Sequence, residues 1–112
     1  MILVDTSVWI DHLAKEDAAL QALLKEGRVL AHPFVIGEVV SALHALPEIP
    51  VASSSEAMAL LNVERPFEMG IGYVDLHLLA STRLMPTARL WTRDKRLLGV
   101  AMQLNLAAFV SH

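Results

Sequence analysis

The chain has 112 residues, of which 54% are hydrophobic and 19% are charged, and its formal net charge at pH 7 is −3. This composition excludes a disordered chain, and residues 1–112 are expected to form one domain, because two separate cores could not each bury enough apolar surface at this length. No cysteine is present, which excludes disulfides, thiolate zinc sites and cysteine nucleophiles, and no apolar run approaches the roughly 18 residues that span a bilayer.

Strand-like and helix-like segments alternate in the first part of the chain. Residues 2–4 form an all-apolar run, which is typical of a strand buried on both faces of a parallel sheet. Asp5 can cap the helix that follows, and Asp17 can cap a second helix that Gly27 ends. Residues 29–31 are the next candidate strand.

Proline and a capping pattern mark the middle of the chain. Pro33 suits the first turn of a helix, and apolar residues then recur at helical spacing until Pro47 stops it. Ser53 and Glu56 stand at the spacing of a capping box. They predict a further helix that continues to about Val63.

Helix and strand alternate again in the last part of the chain. Residues 73–84 predict an apolar helix with Asp75 in its first turn, where the helix dipole favours a carboxylate. Residues 90–92 predict a buried strand, residues 95–104 a helix, and residues 106–110 a short final strand. The whole pattern predicts an α/β fold, with a mostly parallel central sheet flanked by helices on both faces.

Four carboxylates occur where this fold would bring them to the carboxyl edge of the sheet: Asp5, Glu38, Asp75 and Asp94. Taken singly, three have an ordinary structural explanation, since Asp5 can be a helix cap, Asp75 a first-turn acid and Asp94 a surface turn residue. Glu38 differs, because its sequence neighbours are apolar. Clustered carboxylates repel one another, so the hypothesis that they converge requires a cation. A set of oxygen ligands suits magnesium or manganese rather than zinc.

Four segments together resemble the PIN-domain pattern of the VapC family of toxin–antitoxin ribonucleases. They are similar to the acid-bearing segments of that family, in the same order along the chain: residues 2–11 with Asp5, 33–39 with Glu38, 72–81 with Asp75 and 90–97 with Asp94. The resemblance implies a metal-dependent endoribonuclease that is the toxin of a VapBC-type pair.

The resemblance also implies roles for individual residues. The four acids would be both catalytic and metal-binding in a Mg²⁺ or Mn²⁺ site, and the hydroxyls of Ser7 and Thr92 would help to orient them. Hydrolysis of RNA would leave a 5′-phosphate and a 3′-hydroxyl. A VapB-type antitoxin protein is the implied partner, and the high apolar fraction predicts exposed patches that suit such a partner or a homodimer. No targeting signal is recognised, so a cytoplasmic location without membrane attachment is expected.

A locally basic stretch contrasts with the negative net charge of the chain. It comprises Arg83, Arg89, Arg93, Lys95 and Arg96, of which the last four are candidate contacts to the RNA backbone. A solvated helix face explains the same stretch equally well.

Histidine and tryptophan receive no functional role from the sequence. The five histidines, His12, His32, His44, His77 and His112, lack paired metal-ligand spacing. The apolar neighbours of His77 predict an interior histidine whose hydrogen bonds are satisfied. Trp9 and Trp91 belong to apolar runs and are predicted to be core or interface residues rather than base-stacking platforms.

Two other functions fit parts of the sequence. The segment between Glu38 and Asp75 is shorter than is usual in VapC-like proteins and is interrupted by Pro47 and Pro50, which leaves open a catalytically silent PIN-like binding module. A phosphotransfer or phosphatase-type enzyme could use Asp5 as its nucleophile. It would need a second acid two residues on and a clear lysine partner, which this sequence does not offer.

Overall fold

Three parallel strands lie at the centre of this computed structural model, which describes residues 1–38, 47–64 and 71–110 and, for residues 36–38 and 61–64, the backbone only. They are β1 (Ile2–Val4), β2 (Val29–Leu30) and β3 (Arg89–Trp91), in the sheet order β2-β1-β3. Leu3 pairs with Leu30 on one side and with Leu90 on the other, and all three side chains are buried. Helices flank this sheet, so the prediction of a parallel α/β fold is confirmed.

Two further segments add one bridge each to the edges of the sheet. Ala31 pairs in parallel with Glu48 and extends the β2 edge beyond its two residues. Ala107 pairs in parallel with Leu90. The Leu90 N–H donates to the Leu106 carbonyl, and the Leu90 carbonyl accepts the Ala108 N–H, both at 2.7 Å. The prediction of a strand over residues 106–110 is wrong in its length. Within the described residues, this segment pairs with β3 through a single bridge.

Six helices accompany the strands in the described residues: α1 (Thr6–Ala14), α2 (Ala18–Lys25), α3 (Pro33–Glu38), α4 (Ser54–Glu64), α5 (Tyr73–Leu84) and α6 (Lys95–Gln103). Aspartates cap three of them, because Asp5, Asp17 and Asp94 each accept backbone N–H groups of the first turn of α1, α2 and α6. Gly27 follows α2 with a φ of 66°, a left-handed conformation that suits glycine. The predicted continuation of α3 falls on residues 39–46, which lie outside the described residues.

A capping box begins α4, as the sequence predicts. The Glu56 N–H donates to the Ser53 hydroxyl at 3.1 Å, and the Ser53 N–H donates to the Glu56 carboxylate at 2.9 Å. Helix α4 packs against α5, which also contacts β3. Only a short turn joins α5 to β3, so α5 runs back against the strand direction and begins at the carboxyl edge of the sheet.

The hydrophobic core combines the sheet with the inward faces of the helices. Trp9 and Trp91 are each 4% exposed, which confirms that they are core residues. Among the described residues, no helix combines the length and the apolar character that crossing a bilayer requires.

Candidate functional site

The carboxylate of Asp5 lies at the carboxyl edge of the sheet, directly after β1. It is 6% exposed, and its Oδ2 atom accepts hydroxyl hydrogen bonds of 2.8 Å from Ser7 and 2.7 Å from Thr92. Within the described residues, no lysine, arginine or histidine forms a salt bridge with it. A buried carboxylate without a cationic partner is unfavourable, so this position suits a bound metal ion.

The same two hydroxyls connect Asp5 to the loop that follows β3. The Thr92 hydroxyl accepts a hydrogen bond of 3.1 Å from the Asp94 N–H, and the Ser7 hydroxyl accepts one of 3.0 Å from the Arg93 N–H. Asp94 in turn uses its Oδ1 atom to accept two backbone N–H groups from the first turn of α6. Asp5 and Asp94, which are far apart in the sequence, therefore belong to one hydrogen-bonded network.

The other two predicted acids belong to α5 and α3. Asp75 is half-buried in the first turn of α5, at the end of that helix that meets the carboxyl edge. Glu38 is the last residue of α3, and its side chain is outside the described part of the chain. Among the side chains that the structure describes, no three carboxylate or imidazole groups lie close enough to hold one metal ion. The assignment of all four acids to one metal site stays a prediction.

Arg93 makes contacts within the protein instead of extending into solvent. Its guanidinium pairs with Asp17 and, at 2.9 Å, with Asp11, and it lies 5.3 Å from the centre of the Trp91 ring. The hydrogen bond to Asp17, and after it the one to Asp11, raises the pKa of the guanidinium above its ordinary value. These contacts fasten the loop after β3 to α1 and to the start of α2. An RNA phosphate would have to compete with two carboxylates for this side chain.

The other candidate RNA contacts are exposed. Lys95 and Arg96 lie in the first turn of α6, directly after Asp94, and so flank the hydrogen-bonded network. Arg89 begins β3 at the opposite edge of the sheet and donates to the Ala88 carbonyl at 3.0 Å. Lys95 and Arg96 are therefore better positioned than Arg89 to meet a phosphate bound near the acids.

Two buried histidines, His32 and His77, lie near the carboxyl edge of the sheet. His32 is fully buried, and its Nδ1 atom accepts the Phe34 N–H at 3.1 Å. Burial and, after it, the nearby His77 lower the pKa of His32 to about 4. Its imidazole is therefore neutral at pH 7. His44 and His112 lie outside the described residues.

His77 lies in α5 and is 3% exposed, which confirms that it is an interior residue. The prediction that its hydrogen bonds are satisfied is wrong, because neither of its ring nitrogens has a hydrogen-bond partner among the described residues. The same is true of the Nε2 atom of His32. The physical reason is that aromatic rings, which offer no conventional acceptor, are the close neighbours of His77.

A row of aromatic rings leads from His32 to the start of α5. The Phe34 ring is centred 4.9 Å from the His32 ring and 5.0 Å from the His77 ring. The Tyr73 ring is centred 4.5 Å from the His77 ring and 6.2 Å from the Phe34 ring. Tyr73 is 55% exposed and precedes Asp75 by two positions. Tyr73 has no predicted role from the sequence alone, and the signal that could have marked it is its place two positions before a predicted acid.

Comparison with known proteins identifies the family. No protein-family model matches the chain. The chain is 42% identical over 118 residues to Ribonuclease VapC32 from two strains of Mycobacterium tuberculosis, and the match covers 96% of this chain and 95% of the relative. Identity at this level over nearly the full length of both chains indicates common ancestry. The chain therefore belongs to the VapC family of PIN-domain proteins.

Proposed function

We propose that this chain is a magnesium- or manganese-dependent endoribonuclease that hydrolyses RNA phosphodiesters. The observation that carries the proposal is the buried carboxylate of Asp5, which two hydroxyls hold at the carboxyl edge of a parallel sheet. Open α/β sheets bind their ligands at this edge. The name of the relative, a ribonuclease, supports RNA as the substrate.

The donor chemistry fits a hard divalent cation. Asp5, Glu38, Asp75 and Asp94 would hold the ion through carboxylate oxygens, which magnesium and manganese prefer. When bound, such an ion supplies a Lewis acid that lowers the pKa of a water molecule and offsets charge on the phosphate.

The hydrogen bonds of Asp5 and Asp94 support this assignment. Both hydroxyls that reach Asp5 donate to Oδ2, and no hydrogen bond from the described residues reaches its Oδ1 atom. Asp94 caps α6 through Oδ1, and its Oδ2 atom receives no hydrogen bond from the described residues. In each acid, hydrogen bonds to one carboxylate oxygen orient the side chain, and the other oxygen is left for a cation.

Lys95 and Arg96 would hold the RNA backbone beside these acids. Both side chains are exposed in the first turn of α6, where the backbone N–H groups also favour negative charge. Their attraction to phosphate would offset the repulsion that RNA meets from a chain of net charge −3.

Cleavage assays with the purified protein test the proposal. The wild type should cut RNA in millimolar magnesium or manganese, a chelator should stop the reaction, and added metal should restore it. Asp5→Asn should lower the cleavage rate more than about 100-fold. Mutation of residues that only hydrogen-bond a metal ligand lowers activity ~10–100-fold, and loss of the ligand itself should have a larger effect. Glu26→Gln is the matched control, because it removes an exposed carboxylate that pairs with Arg28 on the surface.

The assay has two informative failures. Equal rates for the wild type and for a folded Asp5→Asn variant would contradict a metal-dependent nuclease. Metal-independent RNA binding without cleavage by either protein would favour the PIN-like binding module.

We also propose a VapB-type antitoxin and a second copy of the chain as protein partners. Exposed apolar side chains support protein contacts, and Ile10 and Leu13 on α1 are 57% and 61% exposed. Light scattering should give a dimer mass for the chain alone and a larger complex after co-expression with the antitoxin of the neighbouring reading frame. A monomer that forms no such complex would contradict both partners.

A further inference from the structure

We propose that Tyr73 forms a stacking position for one unpaired nucleobase of the RNA, at the edge of the sheet that carries the candidate metal site. This inference rests on the proposed function and deepens it, because it names the kind of RNA that the site takes. The RNA would be bound by a base against an aromatic ring as well as by its phosphates.

Tyr73 lies at the carboxyl edge of the sheet, where the predicted acids also lie. Tyr73 is the first residue of α5, which begins at the carboxyl edge of the sheet, and Asp75 follows in the same turn. On the other side, ring contacts lead from Tyr73 through Phe34 to His32, which follows β2 at the edge where Asp5 follows β1. A base on Tyr73 would therefore lie at the same edge of the sheet as a phosphate held by the acids.

The ring of Tyr73 is both exposed and supported. It is 55% exposed, which leaves surface for a ligand. It also meets the His77 ring edge-on, with the two planes at 61°, and the Phe34 ring at 30°. A ring that its neighbours already hold loses little conformational freedom when a base stacks on it, which favours binding.

His77 is the feature of this cluster that packing does not explain. Its ring is 3% exposed, and neither nitrogen has a hydrogen-bond partner among the described residues. Buried polar groups usually have a hydrogen-bond partner, and a phenylalanine would pack against Tyr73 equally well, so packing alone does not require a histidine here. Positions that depart from what packing requires are commonly functional sites.

The charges of the site also favour a contribution from stacking. The chain has a net charge of −3, and Asp17 and Asp11 already pair with the Arg93 guanidinium beside the network. Of the four candidate RNA contacts, Arg93 is already paired and Arg89 lies at the opposite edge of the sheet, so attraction to phosphate depends on Lys95 and Arg96. Stacking on an aromatic ring does not depend on charge. Bases in a duplex already stack on each other, so an exposed ring selects unpaired bases.

Binding of short RNA oligomers to the full chain tests the proposal. The measurements use the Asp5→Asn background, so that the RNA stays intact, and compare unstructured oligomers of A or U with an abasic oligomer of the same length. Tyr73→Phe keeps the ring, Tyr73→Leu keeps apolar bulk for packing on His77, and Tyr73→Ala removes both. Leu84→Ala is the control, since Leu84 is 41% exposed at the opposite end of the same helix.

We expect Tyr73→Phe and Leu84→Ala to bind the A or U oligomers within two-fold of the parent. Tyr73→Leu and Tyr73→Ala should bind about ten-fold more weakly, which is the effect of losing one base–aromatic stack. The abasic oligomer and a duplex should not distinguish any of these proteins. In the active enzyme, Tyr73→Leu should raise KM with kcat little changed.

Two results would overturn the inference. One is an affinity of Tyr73→Leu equal to that of the parent, and the other is an equal loss for the abasic oligomer, which would indicate a role in folding or phosphate binding. The proposed function fails separately: a wild type that binds oligomers through Tyr73 but never cleaves RNA would refute the nuclease and leave the stacking position standing.

Discussion

The Thr92 hydroxyl donates a hydrogen bond of 2.7 Å to Asp5 Oδ2 and so joins residues that are 87 positions apart in the chain. The sheet register explains the contact, because Val4 of β1 lies beside Trp91 of β3 and the next residue of each strand meets its counterpart. The hydroxyl also accepts the Asp94 N–H at 3.1 Å. One small side chain thus couples the acid after β1 to the acid after β3.

Removal of this hydroxyl should weaken the site without breaking the fold. Valine has nearly the same shape as threonine, but Thr92→Val removes the hydrogen bond to the Asp5 carboxylate. Such a charge-assisted hydrogen bond is worth about 1.5–3 kcal/mol. We expect manganese binding by calorimetry and the cleavage rate to fall ~10–100-fold, as for other outer residues of metal sites. Thr92→Ser keeps the hydroxyl and should retain most of both. Wild-type metal affinity in Thr92→Val would show that the hydroxyl does not position Asp5.

The two carboxylates that pair with Arg93 should contribute unequally to stability. The Asp17 side chain is 10% exposed and the Asp11 side chain is 58% exposed, so solvent screens the second pair far more. Asp17→Asn keeps a good helix cap but loses the charge, and it should lower the free energy of unfolding by about 1–2 kcal/mol. Asp11→Asn should change it by less than about 0.5 kcal/mol. Urea denaturation measures both, and equal losses would contradict this ranking.

His32 should make the protein less stable in mild acid. Burial and the nearby His77 lower its pKa to about 4 in the folded state, against an ordinary value of 6.5 in the unfolded chain. The unfolded state therefore binds the proton first, and stability falls as the pH drops from 6.5 towards 4. The total loss from this group is about 3 kcal/mol, and none of it is present above pH 7.

His32→Asn provides the comparison for that pH dependence. An asparagine can still accept the Phe34 N–H but does not titrate, so the free energy of unfolding of this variant should change less between pH 7 and pH 4. The slopes against pH are compared rather than the absolute stabilities, because the smaller side chain also changes packing. Parallel slopes for the two proteins would contradict the assignment to His32.

Two glycine-to-alanine substitutions should have opposite effects on stability. Gly27 has a φ of 66°, and an added Cβ would meet no atom within 4 Å, so backbone strain alone should cost about 1 kcal/mol. Gly99 lies inside α6, and its added Cβ also meets nothing within 4 Å. Gly99→Ala should therefore raise the free energy of unfolding by about 0.5–1 kcal/mol. Thermal denaturation distinguishes the two, and shifts of the same sign would contradict this reasoning.

The sequence by itself determined the elements whose signals are local. An apolar run of three residues predicts β1. Asp5 and Asp17 predict the starts of α1 and α2, and the Ser53–Glu56 spacing predicts the start of α4. Each of these depends on residues within one or two turns of one another, so the backbone pattern is readable without the fold. The order of the acids along the chain was equally accessible, since it requires no distances.

Only the tertiary structure decided which side chains meet. Arg93 is a candidate phosphate-binding cation in the sequence, yet the fold brings Asp11 of α1 and Asp17 at the start of α2 to its guanidinium. His77 reads as a satisfied interior residue, yet Phe34 and Tyr73 are its neighbours. Such contacts join distant segments, and they follow from the sheet register and the packing of helices around it. Those are properties of the whole fold and of no single segment.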